Sequence, residues 1–305
     1  MTNIRTNLAR RLLAITALTL SGIATTVSVA QEASFGSEKV TDNITMLFGA
    51  TGFTGGNIAV STGPDGVAVI DNGMANVLDK LQAEIAKVTD QPVDYLINTH
   101  VHGDHIGNNE SFGAEGTTLV SHRNLRDSMV TKGVGQGEEF VAAPEDALPV
   151  ITFSDEMTLN LNGDALRLIH PANAHTDGDA FIHFLNSNVI HTGDLLFNGL
   201  FPYIDTSNGG STNGVIAALG AIIELSDENT KIIPGHGPLA SKADVEKNLA
   251  MIIDSQEIVA KLVAEGKTDE QILEQNPLQK YAEYHWGFIT TERMTKQMIE
   301  AARTQ

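Results

Sequence analysis

Between residues 37 and 73 the apolar positions fall in short alternating runs separated by turn formers, a pattern that predicts strands. ITMLF at 44–48 is one run, and NIAVSTGPDGVAVID at 57–71 reads as two more, joined by the turn Gly63-Pro64-Asp65-Gly66. The period then changes. In NVLDKLQAEIAKVT, Leu78, Leu81, Ile85 and Val88 recur at helical spacing, which predicts an amphipathic helix capped by Asn76. VDYLIN at 93–98 returns to a strand pattern, as does ALRLIHP at 165–171. AFIHFLNSNVIHTGD at 180–194 predicts a hairpin turning at Asn186-Ser187-Asn188, and TKIIPGHGP predicts a short strand ending at His236. Helical patterns occupy 215–225 and the chain from 241 on, where Ser241-x-x-Asp244 and Thr268-x-x-Gln271 read as capping boxes.

Strands that alternate with helices place the chain in the α/β class. No linker, low-complexity run or internal repeat divides the sequence after residue 30, so residues 31–305 are expected to form one catalytic domain, with 241–305 mainly helical. The first thirty residues are a different object. Arg5, Arg10 and Arg11 precede the apolar run LLAITALTLSGIATTVSVA, which ends in small residues before acidic sequence begins. This is the plan of a cleaved signal peptide covering residues 1–30, with the mature protein exported to the periplasm or secreted.

Composition narrows the function. Of 305 residues, 42% are hydrophobic and 19% charged, ordinary values for a folded enzyme. There is no cysteine, so an exported chain must do without disulfides and any metal site without thiolate. Loss of the leader removes three arginines and no acid, taking the formal charge from −19 to −22. Such a surface repels phosphate backbones and anionic lipid, which argues against nucleic-acid partners and stable membrane association and leaves a small-molecule substrate.

The candidate chemistry is concentrated in NTHVHGDHIGNN at 98–109, where His100, His102, Asp104 and His105 stand within six positions. Imidazole and carboxylate donors in a tight loop suit Zn²⁺, and one loop can face two metals. Further His and Asp residues, namely His175, Asp194 and His236, lie at or just after the predicted strand ends. His122, His183 and His191 lie at a helix start or within β runs, which predicts structural roles for them.

In its motifs IDNG (70–73), HVHGDH (100–105), AHTDGDA (174–180), HTGD (191–194) and PGHG (234–237), the chain resembles the metallo-β-lactamase superfamily. The resemblance implies a four-layer αββα sandwich with the metals at one edge of the sheets. It implies two zinc ions, one held by His100, His102 and His175, the other by Asp104, His105 and His236, with Asp194 bridging. Asp104 and Asp194 thereby become the catalytic carboxylates, and a hydroxide shared by the zinc ions becomes the nucleophile for an ester, lactone, thioester or amide. Asp71 of IDNG would hold a ligand histidine by its free N–H.

The ligand set is more similar to that of glyoxalase II and the lactonases than to that of the familiar β-lactamases. Asp194 stands where that branch has a cysteine, and Phe197 where it has a lysine. A glyoxalase II-type thioesterase is one alternative. A diiron or mononuclear-iron redox enzyme is another, disfavoured by His102 at a position where diiron members carry glutamate. Phe53, Phe197, Asn198 and Tyr203 are candidate pocket residues. Between Asp194 and Lys231 there is no lysine or arginine, so a neutral lactone or ester is expected to be cleaved better than a β-lactam, whose carboxylate lacks a partner there.

Overall fold

Successive residues of the first strands point to opposite faces, and both faces are buried. On β2 (Ile44–Thr51), β3 (Ile58–Gly63) and β4 (Gly66–Ile70), the residues Met46, Ala59, Ala68 and Ile70 face one way. Leu47, Ile58, Val60, Val67 and Val69 face the other. The first set meets Leu166, Leu168, Ile182, Phe184, Val189 and Ile233 of a second sheet. The second set packs against Leu81 and Ile85 of α1 (Leu78–Val88).

The computed structural model describes residues 32–134 and 141–304, and residues 32–305 form one compact unit. The leader peptide expected at 1–30 lies outside the described residues.

The first sheet has seven strands in sequence order. It opens with β1 (Ser34–Lys39), antiparallel to β2, and runs on through β3 and β4 as an antiparallel meander. It continues in parallel through β5 (Tyr95–Ile97), β6 (Thr118–His122) and β7 (Ile151–Phe153). Around these parallel strands lie α2 (Gly103–Ile106), α3 (Asn109–Ala114) and α4 (Arg123–Lys132).

The second sheet has five strands: β8 (Glu156–Leu161), β9 (Asp164–Ile169), β10 (Phe181–Phe184), β11 (Val189–Phe197) and β12 (Lys231–His236). Only the β11–β12 pair is parallel, with α5 (Thr212–Leu225) as its crossover. β12 is an edge strand, which is why Pro234 is tolerated inside it. Its outer face, with α5, α6 (Lys242–Ala264) and α8 (Thr291–Thr304), encloses the largest apolar cluster. The short α7 (Asp269–Gln275) joins α6 to the C-terminal segment. The layers are helix, sheet, sheet, helix, as expected.

Both capping boxes form, at Ser241/Asp244 and Thr268/Gln271. The hairpins at Gly63–Gly66 and at 186–188 close with Gly63 opposite Gly66 and Phe184 opposite Val189. The cap assigned to Asn76 does not form. Asn76 lies inside a single 3-10 turn, Ala75–Val77, and α1 starts at Leu78 with no side-chain cap, because burying Val77 in the α1 layer fixes the turn there. α5 begins at Thr212, three residues earlier than its apolar pattern, because Ser211 caps it by accepting from Gly214 N at 3.0 Å.

Candidate metal centre

The predicted donors come from the loop and short helix α2 that follow β5, from the loop between β9 and β10, from within β11 and from the end of β12. β4 ends at Ile70 and the next residue, Asp71, turns the chain with φ of +62°, a left-handed conformation that Asp tolerates better than most residues. Its backbone N–H donates to Ile97 O at 2.9 Å, so the ends of β4 and β5 lie side by side. The histidine loop leaves β5 at this point. A buried set of asparagines fixes its far side. Asn108 donates to Asn72 O at 2.6 Å and Met74 O at 3.0 Å, while Asn109 bonds Asn98 at 2.8 Å and accepts from Asn72 at 2.6 Å. Sequence reasoning passed over these four residues, although the Asn doublet directly after the histidines was a visible signal.

Two groups of donors result. His100 Nε2 and His175 Nε2 lie 3.1 and 3.0 Å from His102 Nδ1, and Asp194 Oδ2 lies 3.7 and 3.6 Å from the same two Nε2 atoms. On the other side, Asp104 Oδ2 is 3.7 Å from His105 Nε2 and 3.3 Å from His236 Nε2. Asp194 Oδ1 is 3.1 and 3.5 Å from those two nitrogens. Donors at about 2.0–2.1 Å around a tetrahedral ion stand roughly 3.3–3.4 Å apart, close to these edges. His105 Nε2 and Asp194 Oδ1 are buried without a hydrogen-bond partner, a costly arrangement that a cation between them would relieve. The donors fit two metal ions.

Which nitrogen faces the centre is decided by what the other nitrogen does. His175 Nδ1–H donates to Tyr203 O at 2.7 Å. His105 Nδ1–H donates to Asp71 Oδ2 at 2.7 Å. Thr99 Oγ1 donates to that same Asp71 oxygen at 2.7 Å and accepts from His100 Nδ1 at 3.0 Å. His102 is turned the other way, its Nε2–H donating to Asp205 Oδ2 at 2.8 Å, so that Nδ1 points inward. Asp71 thus sits where it was expected, against a donor histidine. Asp205 is the positioning residue that sequence reasoning missed. It follows Asp194 by eleven residues, and nothing in its local pattern connects it to His102.

Charge follows the same division. Burial and the surrounding imidazoles hold His100 well below the usual histidine range, and burial depresses His175 to about 4. Both are neutral, the form that binds a cation. Burial also opposes a charge on His105, yet Asp194, Asp104 and Asp71 outweigh it and raise its pKa well above the usual range. His236, likewise buried, is raised to about 9 by Asp194 and Asp104. Asp194 stays ionised despite its burial because the charged His105 and His236 lie beside it.

Close packing leaves no room for side chains at two places. A Cβ on Gly235 would collide with Asp194 Oδ1, and one on Gly56 with the His105 ring. These contacts explain the glycine before the histidine in PGHG and one of the pair after Phe53.

A cavity of about 1080 Å³ opens beside the donors, lined by His102, Asp104, Asp194 and His236. Three of the four candidate pocket residues line it: Phe53, Phe197 and Tyr203. The fourth is corrected. Asn198 is not among the lining residues, because its backbone N–H donates to His236 O at 2.8 Å and its amide to Pro238 O at 2.9 Å, away from the cavity. Trp286 and Lys132 line it instead. His122 caps α4 and stacks on His170 at 3.6 Å, while His183 and His191 lie on β10 and β11, consistent with structural roles.

Two sets of imidazole and carboxylate donors joined by one carboxylate, at the edge of an αββα sandwich, define a metallo-hydrolase with a centre suited to two metals. Residues 51–236 match the family described as the metallo-beta-lactamase superfamily, and with more than half of its length matched the chain belongs to that superfamily. A hydroxyacylglutathione hydrolase from Nitrosococcus oceani is 28% identical over 217 residues, 67% of this chain and 72% of that protein. A linear primary-alkylsulfatase from a Pseudomonas species is 21% identical over 253 residues, 69% of this chain and 48% of that protein. The chain therefore spans about half the length of the sulfatase. In fold it is similar to a metallo-beta-lactamase from Pontibacter korlensis, with a TM-score of 0.61 and 16% identity over 72% of this chain and 100% of the other. Among the described residues no helix is long and apolar enough to cross a membrane.

Proposed function

We propose that this protein is an exported, zinc-dependent hydrolase of a carbonyl ester, lactone or amide. His100, His102 and His175 would hold one zinc, Asp104, His105 and His236 the other, with Asp194 available to both. The observation that carries this reading is the Asp194 carboxylate, which aims one oxygen at each histidine group. When bound, such a metal pair supplies an activated water and Lewis acidity toward the acyl oxygen. The chain's own residues do the rest. Asp71, Thr99, Tyr203 and Asp205 orient the imidazoles, and burial of the Asp194 side chain, 4% exposed, keeps bulk water from competing. Asp104, with 20% of its side chain exposed, borders the cavity, where its carboxylate takes up and returns the proton of the reaction.

Lys132 is the basic residue on the cavity wall, and its Nζ donates to Asn208 Oδ1 at 2.6 Å. Arg123 and Arg167 bond Ser154 and Glu156 instead. A β-lactam carboxylate must compete with Asn208 for Lys132, the one Lys or Arg among the described lining residues, so β-lactams are slow substrates with a high KM. The hydroxyacylglutathione hydrolase relative favours a second reading, thioester hydrolysis. A screen of lactams, lactones, esters and thioesters, with elemental analysis of the same preparation, separates these readings. Two zinc ions per chain are expected, and Asp194→Ala should lose both metal and turnover. One tightly held iron with full activity would overturn the assignment.

A further inference from the structure

The cavity beside the donors is far larger than a small acyl group fills, and away from the donors much of its wall is apolar. Phe53 and Phe288 flank its mouth with 54% and 47% of their surfaces exposed, and are among the few large apolar residues so exposed. Scattered exposed apolar residues are ordinary, but two converging on one cavity are informative. Phe53 lies parallel to the His236 ring at 6.1 Å. Phe288 meets Tyr203 edge-on at 5.3 Å and Trp286 at 5.7 Å, so an aromatic wall runs from the mouth to the donors. Ile106, Met129 and Ala147, which belong to one small apolar cluster, add an aliphatic part to the lining.

We propose that the substrate carries an elongated apolar body, an alkyl or aryl chain, which lies along the aromatic wall and this aliphatic lining while its carbonyl group reaches the donor cluster. This rests on the hydrolase reading and gives it a substrate class. A tripeptide thiol ester is the poor alternative. It would bring two carboxylates and an ammonium into a cavity whose basic lining residue, Lys132, is already bonded to Asn208, and an unpaired charge loses its hydration there.

The sequence contains one tryptophan, Trp286, and it lines the cavity, so the binding half of the proposal has its own probe. Titration with 1-alkanols from butanol to decanol, read by Trp286 fluorescence, is expected to show Kd falling about two- to fourfold per methylene. In parallel, kcat/KM on p-nitrophenyl esters from acetate to decanoate is expected to rise with similar steepness. Phe288→Ala, at an exposed site that leaves folding intact, should flatten both trends. An alkanol Kd independent of chain length overturns the proposal, whatever is hydrolysed. Unchanged slopes in folded Phe288→Ala overturn the placement of the chain against the aromatic wall. A chain-length trend in fluorescence with no ester or lactone hydrolysed supports the apolar site and overturns the hydrolase reading.

Discussion

Replacing Asp205 with Asn should weaken one half of the centre and spare the other. The carboxylate is almost buried and holds His102 Nε2–H at 2.8 Å, while Asn208 Nδ2 donates to it at 2.7 Å and Asn208 N at 3.1 Å. These bonds lower its pKa strongly against the effect of burial. An amide at this position can still accept from His102, so the fold is kept, but the bond is no longer charge-assisted. Charge-assisted bonds contribute about 1.5–3 kcal/mol and neutral ones about 0.5–1.5, so the loss is about 1–2 kcal/mol. Zinc affinity of the group containing His100, His102 and His175 should fall roughly five- to thirtyfold. Asp71→Asn is the comparison, since Asn also tolerates the left-handed backbone at 71 and Asp71 bonds His105 of the other group directly, reaching His100 only through the Thr99 hydroxyl. Competition with a chromophoric chelator should resolve two zinc-release steps, with Asp205→Asn weakening only the one that involves His102 and Asp71→Asn weakening chiefly the one that involves His105. Equal weakening of both steps by Asp205→Asn, or none, would refute the argument that it acts through His102.

Metal binding should release protons at neutral pH, because the metal-free protein holds them on His105 and His236, whose pKa values are raised. With two protons displaced, affinity of that group should drop by up to about a hundredfold per pH unit below 7, measurable by chelator competition. Without metal, the raised His236 contributes stability that is complete below its unfolded value of about 6.5 and is lost as pH rises through about 9. Thermal melts of chelator-treated protein should therefore fall across that window, whereas a flat profile contradicts the ion pairing. Gly235→Ala puts a methyl against Asp194 Oδ1 and should cost about 1–3 kcal/mol of stability, with loss of bound metal in elemental analysis. Mass spectrometry of protein from a periplasmic or secreted fraction should show a chain beginning at or near Gln31, and retained Met1 on membrane-bound protein would point to an anchor.

Much of this was legible in the sequence because the relevant signals are local. Strand and helix periods, the two capping boxes and the hairpin turns depend on residues within a few positions of one another, and they form as read. The donors were legible for a related reason: four of them crowd into the one loop after β5, and His236 closes β12. Asp205, the four asparagines and Trp286 were not legible as site residues. Asp205 reaches His102 across 103 positions, and Trp286 meets the Phe197 ring at 5.9 Å from a loop before α8. Asn198 misled in the opposite sense, since nearness to Asp194 in sequence does not decide which way a side chain turns after a strand ends. Chain order determined which donors exist. The pairing of outward nitrogens, and with it which ring atom each histidine presents, was decided only when two sheets packed and brought distant carboxylates and carbonyls within hydrogen-bond reach.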